Sequence, residues 1–434
     1  MSIYFDKKIY THNIFEVFLF MYVLYPFTIA PIAMIQKMLY YGFIFLCNIN
    51  FFCNSFSHAY TQKNFSLIGA SISCFCICCF NSIVYPVLRN TWDFTFFYTF
   101  INFAVRCVCA FSLILLCKNI YDFILLFLKA NALYVIFSFF LLIPAVRSAY
   151  QDFTGINLPK NLQNQWQVIA GMFYTRFGLQ GFSGFEHTFK CSLAIGLGLW
   201  LLKFLKFNNT KKTVLFFMLL NFIGCCMYGR VGILSTILIV CCYNSIMIIK
   251  YRKTKLFFLL FFIILLSVLV FIACIDIIRD NPITKWAFEP FINLLETGEF
   301  STASSDGLKT MWRLSSLKSA VFGDAKYMEN GSYYTGTDVG ILRPVLFWGI
   351  GGSVFYYLIN IFLSITLFKY FKKYNGGILF FMIIGILFFF ELKGEINLVL
   401  FTILFPMAFL LQRENFSTKS YSKEIVKLLF MCQK

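Results

Sequence analysis

The chain has 434 residues, 60% of them hydrophobic and only 13% charged. Soluble domains carry about 25% charged residues, so a water-soluble core does not explain this composition. The net charge is +18, yet the positive residues lie mostly between apolar runs. There they set membrane orientation, and no nucleic-acid module or nucleic-acid partner is indicated.

Lys7 and Lys8 precede an apolar run from about Phe15 to Ile35. That run is too long for a signal-peptide core and no small-residue cleavage site follows it, so it reads as a first spanning helix. Runs of about 20 apolar residues, each able to cross roughly 30 Å of hydrocarbon, recur along the chain. They predict spans near residues 14–35, 38–56, 67–88, 94–117, 121–143, 188–206, 213–228, 231–249, 256–278, 338–366, 377–391 and 396–412. The second is interrupted by Asn48, Asn50 and Asn54. The expected fold class is all-α, a polytopic bundle of about 12 transmembrane helices.

Sixteen cysteines suggest a disulfide scaffold by count but not by position. Most lie inside apolar runs, and Ser73-Cys74-Phe75-Cys76-Ile77-Cys78-Cys79 contains no His or carboxylate. Cysteine there behaves as a small hydrophobe, so no metal site is expected. The long polar loops hold no cysteine.

Lysines and arginines cluster at Lys203–Lys212, at Lys250–Lys255, at Lys369–Lys373 and in a tail over 413–434. The alternate turns, Gly229-Arg230 and Glu391 to Glu395, are poor in charge. Positive loops stay cytoplasmic, which places both termini inside. The tail, with lysines among Ile425, Val426, Leu428, Leu429 and Phe430, is expected on the inner membrane surface. Two long segments fall outside, 147–187 and 279–337. In the second, Asn281-Pro282 starts a helix that Gly298 follows. Asp306 is expected to cap another helix, which Gly323 ends. Leu308, Met311, Trp312 and Ser315 form one face of it, with Lys309, Arg313 and Ser316 on a neighbouring face.

The outer segments carry the candidate chemistry. The first ends Tyr174-Thr175-Arg176-Phe177-Gly178-Leu179-Gln180-Gly181-Phe182-Ser183-Gly184-Phe185-Glu186-His187. Its glycines let backbone approach a ligand, and Arg176 offers a fork of donors suited to phosphate. Glu186 and His187 suit acid–base or hydrogen-bonding roles. An interfacial anchor fits Arg176 equally well, and an interfacial loop with a capping Glu fits Glu186 and His187 better. Arg230 stands at an outer turn between apolar residues. A cation costs about 2.5–3.5 kcal/mol at a membrane helix centre, so it normally faces a cavity or a partner. Its place at a helix start adds backbone donors for an anion; the alternative is a snorkelling Arg. Asp338 either caps the following helix or serves the site, and Arg343 lies just inside that helix. Glu391-Leu392-Lys393-Gly394-Glu395 forms either an intramembrane functional group or a hairpin with a local Glu–Lys pair.

The order and sidedness of these motifs resemble those of the bacterial O-antigen and capsule repeat-unit polymerases (Wzy type). The resemblance rests on Arg176-Phe177-Gly178, Gly229-Arg230-Val231-Gly232, Phe322-Gly323-Asp324 with Thr337-Asp338-Val339-Gly340, and Glu391-Leu392-Lys393. It covers roughly residues 170–400. It implies a GT-C-type membrane glycosyltransferase in the bacterial inner membrane, needing no cofactor. Such an enzyme joins undecaprenyl-pyrophosphate-linked oligosaccharides at the outer face and admits a chain-length regulator protein as a partner. By the same resemblance Arg176, Arg230, Arg279 and Arg313 would bind pyrophosphate and glycan, with Arg343 and His187 as further binding candidates. Arg230 would also stabilise the leaving charge. The general base stays open among Asp338, Glu186 and Glu395. Related O-antigen ligases carry a functional His in the large loop; here the histidines are His12, His58 and His187, which speaks against a ligase. A lipid-linked oligosaccharide flippase is the main rival, but it should show two related halves and short outer loops.

Overall fold

The computed structural model describes residues 13–27, 32, 35–36, 42, 65–117, 119–156, 176–182, 184–202, 205, 208–251, 282–299, 301–312, 314, 316–329, 331–371 and 376–411. The expected span near 256–278, almost all of that near 38–56, the tail 413–434, and Arg279 and Arg313 lie outside the described residues.

The described chain is helical. In order come α1 Ile14–Leu24, α2 Phe65–Leu88, α3 Thr95–Leu116, α4 Ile120–Phe140 and α5 Pro144–Thr154. After a short hairpin, β1 Phe177–Gly178 and β2 Gly181–Phe182, come α6 Gly184–Leu202, α7 Asn208–Tyr228 and α8 Arg230–Tyr251. Then follow α9 Pro282–Thr297, α10 Ala303–Met311 and α11 Leu317–Phe322, and a second hairpin, β3 Met328–Glu329 and β4 Ser332–Tyr333. The chain continues through α12 Leu342–Tyr370, α13 Gly376–Glu391 and α14 Asn397–Leu411. Among the described residues, Ser66–Leu88, Ile120–Phe140, Asn209–Tyr228 and Leu342–Tyr370 are long and apolar enough to cross a membrane. This is a membrane-embedded helical protein.

Burial separates inner helices from peripheral ones. The apolar stretch of α4 is 67% buried, against 28% for α2 and α7. Leu215, Phe216, Leu219 and Phe222 of α7 face outward, as suits a lipid-facing helix. Lipid supplies no hydrophobic drive between helices, so close packing and interhelical hydrogen bonds hold the bundle. Asn360 of α12 donates to the Asn397 side chain at 2.8 Å, and Asn397 donates to Tyr356 O at 2.6 Å. Ser71 of α2 donates to Ile359 O at 2.7 Å. Cys74 and Cys78 are buried while Cys76 is exposed, so the cysteine run of α2 is spread around the helix.

Helix ends follow local chemistry, with corrections. Pro282 opens α9 and Gly298, at φ 76°, follows it, as expected. Asp306 does not cap a helix: Thr302 caps α10, exchanging bonds with Ser305, and Asp306 sits inside the first turn, paired with Lys309 at 3.0 Å. The single helix expected up to Gly323 is two, because Ser316 caps a new start at α11. Leu308 and Met311 do share a face, packed on Val339, Leu342 and Leu346, but Trp312 is exposed.

Helix α12 is broken at Gly349, which has φ 75° and ψ 178°, a conformation essentially restricted to glycine. The break frees carbonyls of the preceding turn, and segment 323–325 satisfies them. Asp324 N donates to Leu346 O at 2.6 Å and Ala325 N to Phe347 O at 3.1 Å. A Cβ on Gly349 would stand 2.1 Å from Val321 O, so the end of α11 lies directly against the broken turn. Non-helical backbone at membrane depth persists only where protein satisfies it in this way.

Candidate functional site

The glycine-rich motifs meet at one end of the bundle. A Cβ on Gly184 would touch Tyr228 O at 2.8 Å and Arg176 Cβ at 3.1 Å. One on Gly340 would touch Gly394 O at 2.4 Å and Glu391 Oε2 at 2.5 Å, and one on Gly394 would meet the Phe185 ring. Gly232 lies against Thr188 and Cys225 in the same way, drawing the start of α8 onto α6 and α7. These close approaches bring Arg176, Arg230, Lys393 and Asp338 toward one place.

Three cations gather there. Arg230 opens α8 and pairs with Glu289 of α9. Burial and the nearby Arg230 push the Arg176 guanidinium down to about 10. Burial, then Arg176 and Arg230, push the Lys393 ammonium down to about 8, against the opposing pull of Asp338. Both side chains therefore sense, beyond their burial, the positive charge of their neighbours. Beside them, α8 and α13 enclose an apolar cavity of about 330 Å³, lined by residues including Leu238, Ile239, Phe381, Met382 and Phe389. Its lining begins at Ser235, which is roughly 7 Å along α8 from Arg230 at 1.5 Å per residue.

A second polar cluster adjoins the first through Asp338. Arg343 Nη2 lies 3.3 Å from Asp338 Oδ1, and Nη1 lies 3.8 Å from Glu395 Oε2. The guanidinium sits 3.3 Å above the centre of the Tyr333 ring. Tyr327 and Tyr356 both donate their hydroxyls to Glu395. Burial, then the charge of Glu395, hold the Tyr327 hydroxyl well above the usual phenol range, so it stays a donor. Asp93, in the turn before α3, accepts Tyr327 N at 2.5 Å and Met328 N at 2.8 Å, which anchors the β3–β4 hairpin over Glu395. Burial opposes ionisation of Asp93, but bonds from Thr95, Met328 and Tyr327 outweigh it and hold its carboxyl below the usual range.

Several expectations change here. Asp338 is not the cap of the helix that follows: α12 starts at Leu342 with Ile341 at its N-cap and no side-chain cap bond. Its carboxylate is drawn instead to Arg343. Glu391 does not form a hairpin pair with Lys393 through its carboxylate. It turns inward, accepting Ile396 N at 2.6 Å, Asn397 N at 2.7 Å and the Tyr357 hydroxyl at 2.9 Å, and so caps α14.

Glu186 and His187 belong to the first turn of α6 rather than to the preceding loop. Glu186 pairs with Lys190 at 2.7 Å and Arg106 at 3.6 Å. His187 is fully buried, its Nε2 2.7 Å from the Tyr134 hydroxyl and its ring against Tyr25 and Tyr228. Lys190 also donates to Leu24 O at 2.7 Å and lies over the Tyr25 ring at 4.1 Å. Sequence reasoning passed over Lys190, Arg106, Asp93 and Tyr327. Arg106 and Lys190 were signalled by charge inside apolar runs; Asp93 follows a two-residue turn signal, Asn90-Thr91.

No family model matches the chain, nor does any curated protein or solved structure.

Proposed function

We propose that this chain is a polysaccharide polymerase of the O-antigen and capsule repeat-unit type. In this reading it crosses the bacterial inner membrane about twelve times on a GT-C-type scaffold, with both termini in the cytoplasm and the site on the outer face. The growing chain is released from its undecaprenyl pyrophosphate and transferred to the sugar of an incoming lipid-linked repeat unit. The observation that carries the reading is the gathering of three cations, Arg176, Arg230 and Lys393, near the end of the apolar cavity between α8 and α13. That pairing suits a phosphate-bearing lipid: fixed cations for the anionic head and an apolar channel for the polyprenyl tail.

In the transfer, the acceptor hydroxyl attacks the anomeric carbon that carries the pyrophosphate. The new glycosidic C–O bond forms as the bond to the pyrophosphate oxygen breaks, and the lipid pyrophosphate leaves with the bonding pair. Arg230 and Arg176 stabilise that developing charge from fixed positions. The hydroxyl proton passes to a carboxylate, for which Glu395 and Asp338 are the candidates nearest the cations. Glu186, held by two cations of its own, is the weakest of the three bases named from sequence.

Deletion of the chain should leave surface polysaccharide at one repeat unit, whereas loss of a flippase leaves none at the surface. Purified protein given a lipid-linked repeat unit should lengthen it, and Arg230→Ala protein of normal yield should not. Normal polymer length with Arg230→Ala would sink the assignment. Arg230→Lys keeps the charge but not the two-pronged geometry, so a substantial loss is expected there too.

A further inference from the structure

The cluster around Glu395 encloses a separate cavity of about 300 Å³, bounded by Thr95, Thr99, Phe103, Tyr333, Arg343 and Glu395 among others. That volume lies at the lower end of the roughly 300–1,000 Å³ of small-molecule sites. Its walls differ in kind from the cation cluster. A carboxylate and a guanidinium, each 9% exposed, face one another at 3.8 Å, too far apart for a close hydrogen bond. Glu395 is already met by two tyrosine hydroxyls, but an ionised carboxylate has about four acceptor positions. Arg343 spends donors on Thr337 O at 3.4 Å and on Asp338, of the five that a guanidinium carries. Thr95 and Thr99 also line it, with the Thr99 hydroxyl donating to Thr95 O at 3.0 Å and keeping its acceptor positions, while Phe103 and Met328 supply an apolar wall.

We propose that this cavity is a neutral sugar site, in which vicinal ring hydroxyls bridge the separated Arg343–Glu395 pair and the ring's C–H face lies on the Phe103 and Met328 wall. One guanidinium shared by two carboxylates, Glu395 and Asp338, combined with an apolar wall suits a neutral polyhydroxylated ring better than an anion. The further step, that the bound sugar is the acceptor, rests on the polymerase reading above. Asp338, which touches Arg343 and acts on Lys393, then joins the acceptor side to the anion side.

The test uses full-length protein in lipid nanodiscs and saturation-transfer NMR. The probes are glucose, galactose, rhamnose, N-acetylglucosamine and N-acetylgalactosamine, offered singly. At least one should receive saturation from the protein. Thr99→Leu, which fills the cavity and leaves the ion pair in place, should weaken that binding about tenfold or more. Tyr333→Ala, which removes the ring beneath Arg343, should weaken it as well. Absence of transfer to every probe, or transfer undiminished in both cavity variants, overturns the sugar site. Calorimetry with inorganic pyrophosphate is run on the same samples to test the anion reading independently. Pyrophosphate binding that Arg230→Ala abolishes and Thr99→Leu preserves supports that reading even if the sugar site fails. Sugar binding without any pyrophosphate binding keeps the sugar site and overturns its role as acceptor.

Discussion

Around the start of α6, Glu186 lies between Lys190 and Arg106, and Lys190 finds a carboxylate, a backbone carbonyl and an aromatic face within about one side chain's reach. Around the start of α8, by contrast, burial and then the mutual approach of Arg176, Arg230 and Lys393 depress the basicity of Arg176 and Lys393. The first cluster ties α1, α3 and α6 together. In the second, Glu289 pairs with Arg230 and Asp338 pulls on Lys393, but the cations also act on one another. Like charges brought together against their repulsion make sense where an anion arrives to neutralise them. Position near a membrane interface does not separate the two clusters, because both stand at helix starts; the arrangement does, since one carboxylate joins the cations of the first whereas those of the second act directly on one another.

The largest expected effect lies in the first cluster. Lys190→Met leaves Glu186 short of its closest partner, and breaking a buried pair in this way costs about 3–5 kcal/mol. Thermal unfolding in detergent should show that loss, with pyrophosphate affinity unchanged in whatever protein remains folded. A variant as stable as the parent would show that the pair is not what holds α6. Arg230→Ala should behave in the opposite way. Its unfolding temperature should fall less than that of Lys190→Met, because the Arg230–Glu289 pair it breaks is the more exposed of the two, while polymerisation falls by about 10²–10³-fold, as when one charge-stabilising donor is removed. Equal losses of stability and activity would erase the distinction between the clusters.

The smallest effect is a pH dependence. Lys393 is charged below about 8 and neutral above it, so the free site loses positive charge as pH rises through that value. Pyrophosphate affinity should therefore fall toward alkaline pH, by at most about tenfold, or ~1.4 kcal/mol. Lys393→Met should bind weakly throughout and lack this step. A step that persists in Lys393→Met would assign the titration to another group.

Much of the fold can be read from the chain because length and apolarity fix a membrane helix almost alone. The helices over Phe65–Leu88, Thr95–Leu116, Ile120–Phe140 and Gly376–Glu391 fall close to the runs that predict them. Capping is less legible, since Thr302, Asp306 and Ser316 are all competent caps and tertiary packing chooses among them. Asp338 misleads for a related reason: Arg343, five residues on, competes for its carboxylate. At the site, Arg176 and Arg230 stand out as cations in apolar surroundings. Lys393 does not, because its neighbour Glu391 offers an obvious local partner, and only the fold turns Glu391 inward to cap α14. Asp93 and Tyr327 are 234 residues apart in sequence, a pairing no local pattern announces.

The break at Gly349 also decides where this protein can be cut and rejoined. The turn of α12 that carries Arg343 bonds to segment 323–325 instead of continuing the ladder of the long helix, so that turn and the loop behave as one part. Tags or spacers placed at Gly331, whose surroundings are open, leave that part whole. An insertion between Val321 and Ala325 would strip the carbonyls of Leu346 and Phe347 of their donors and unseat Arg343 from a distance. For anyone labelling or splitting this chain, the boundary to respect is therefore the glycine within α12 and not the point where α12 begins.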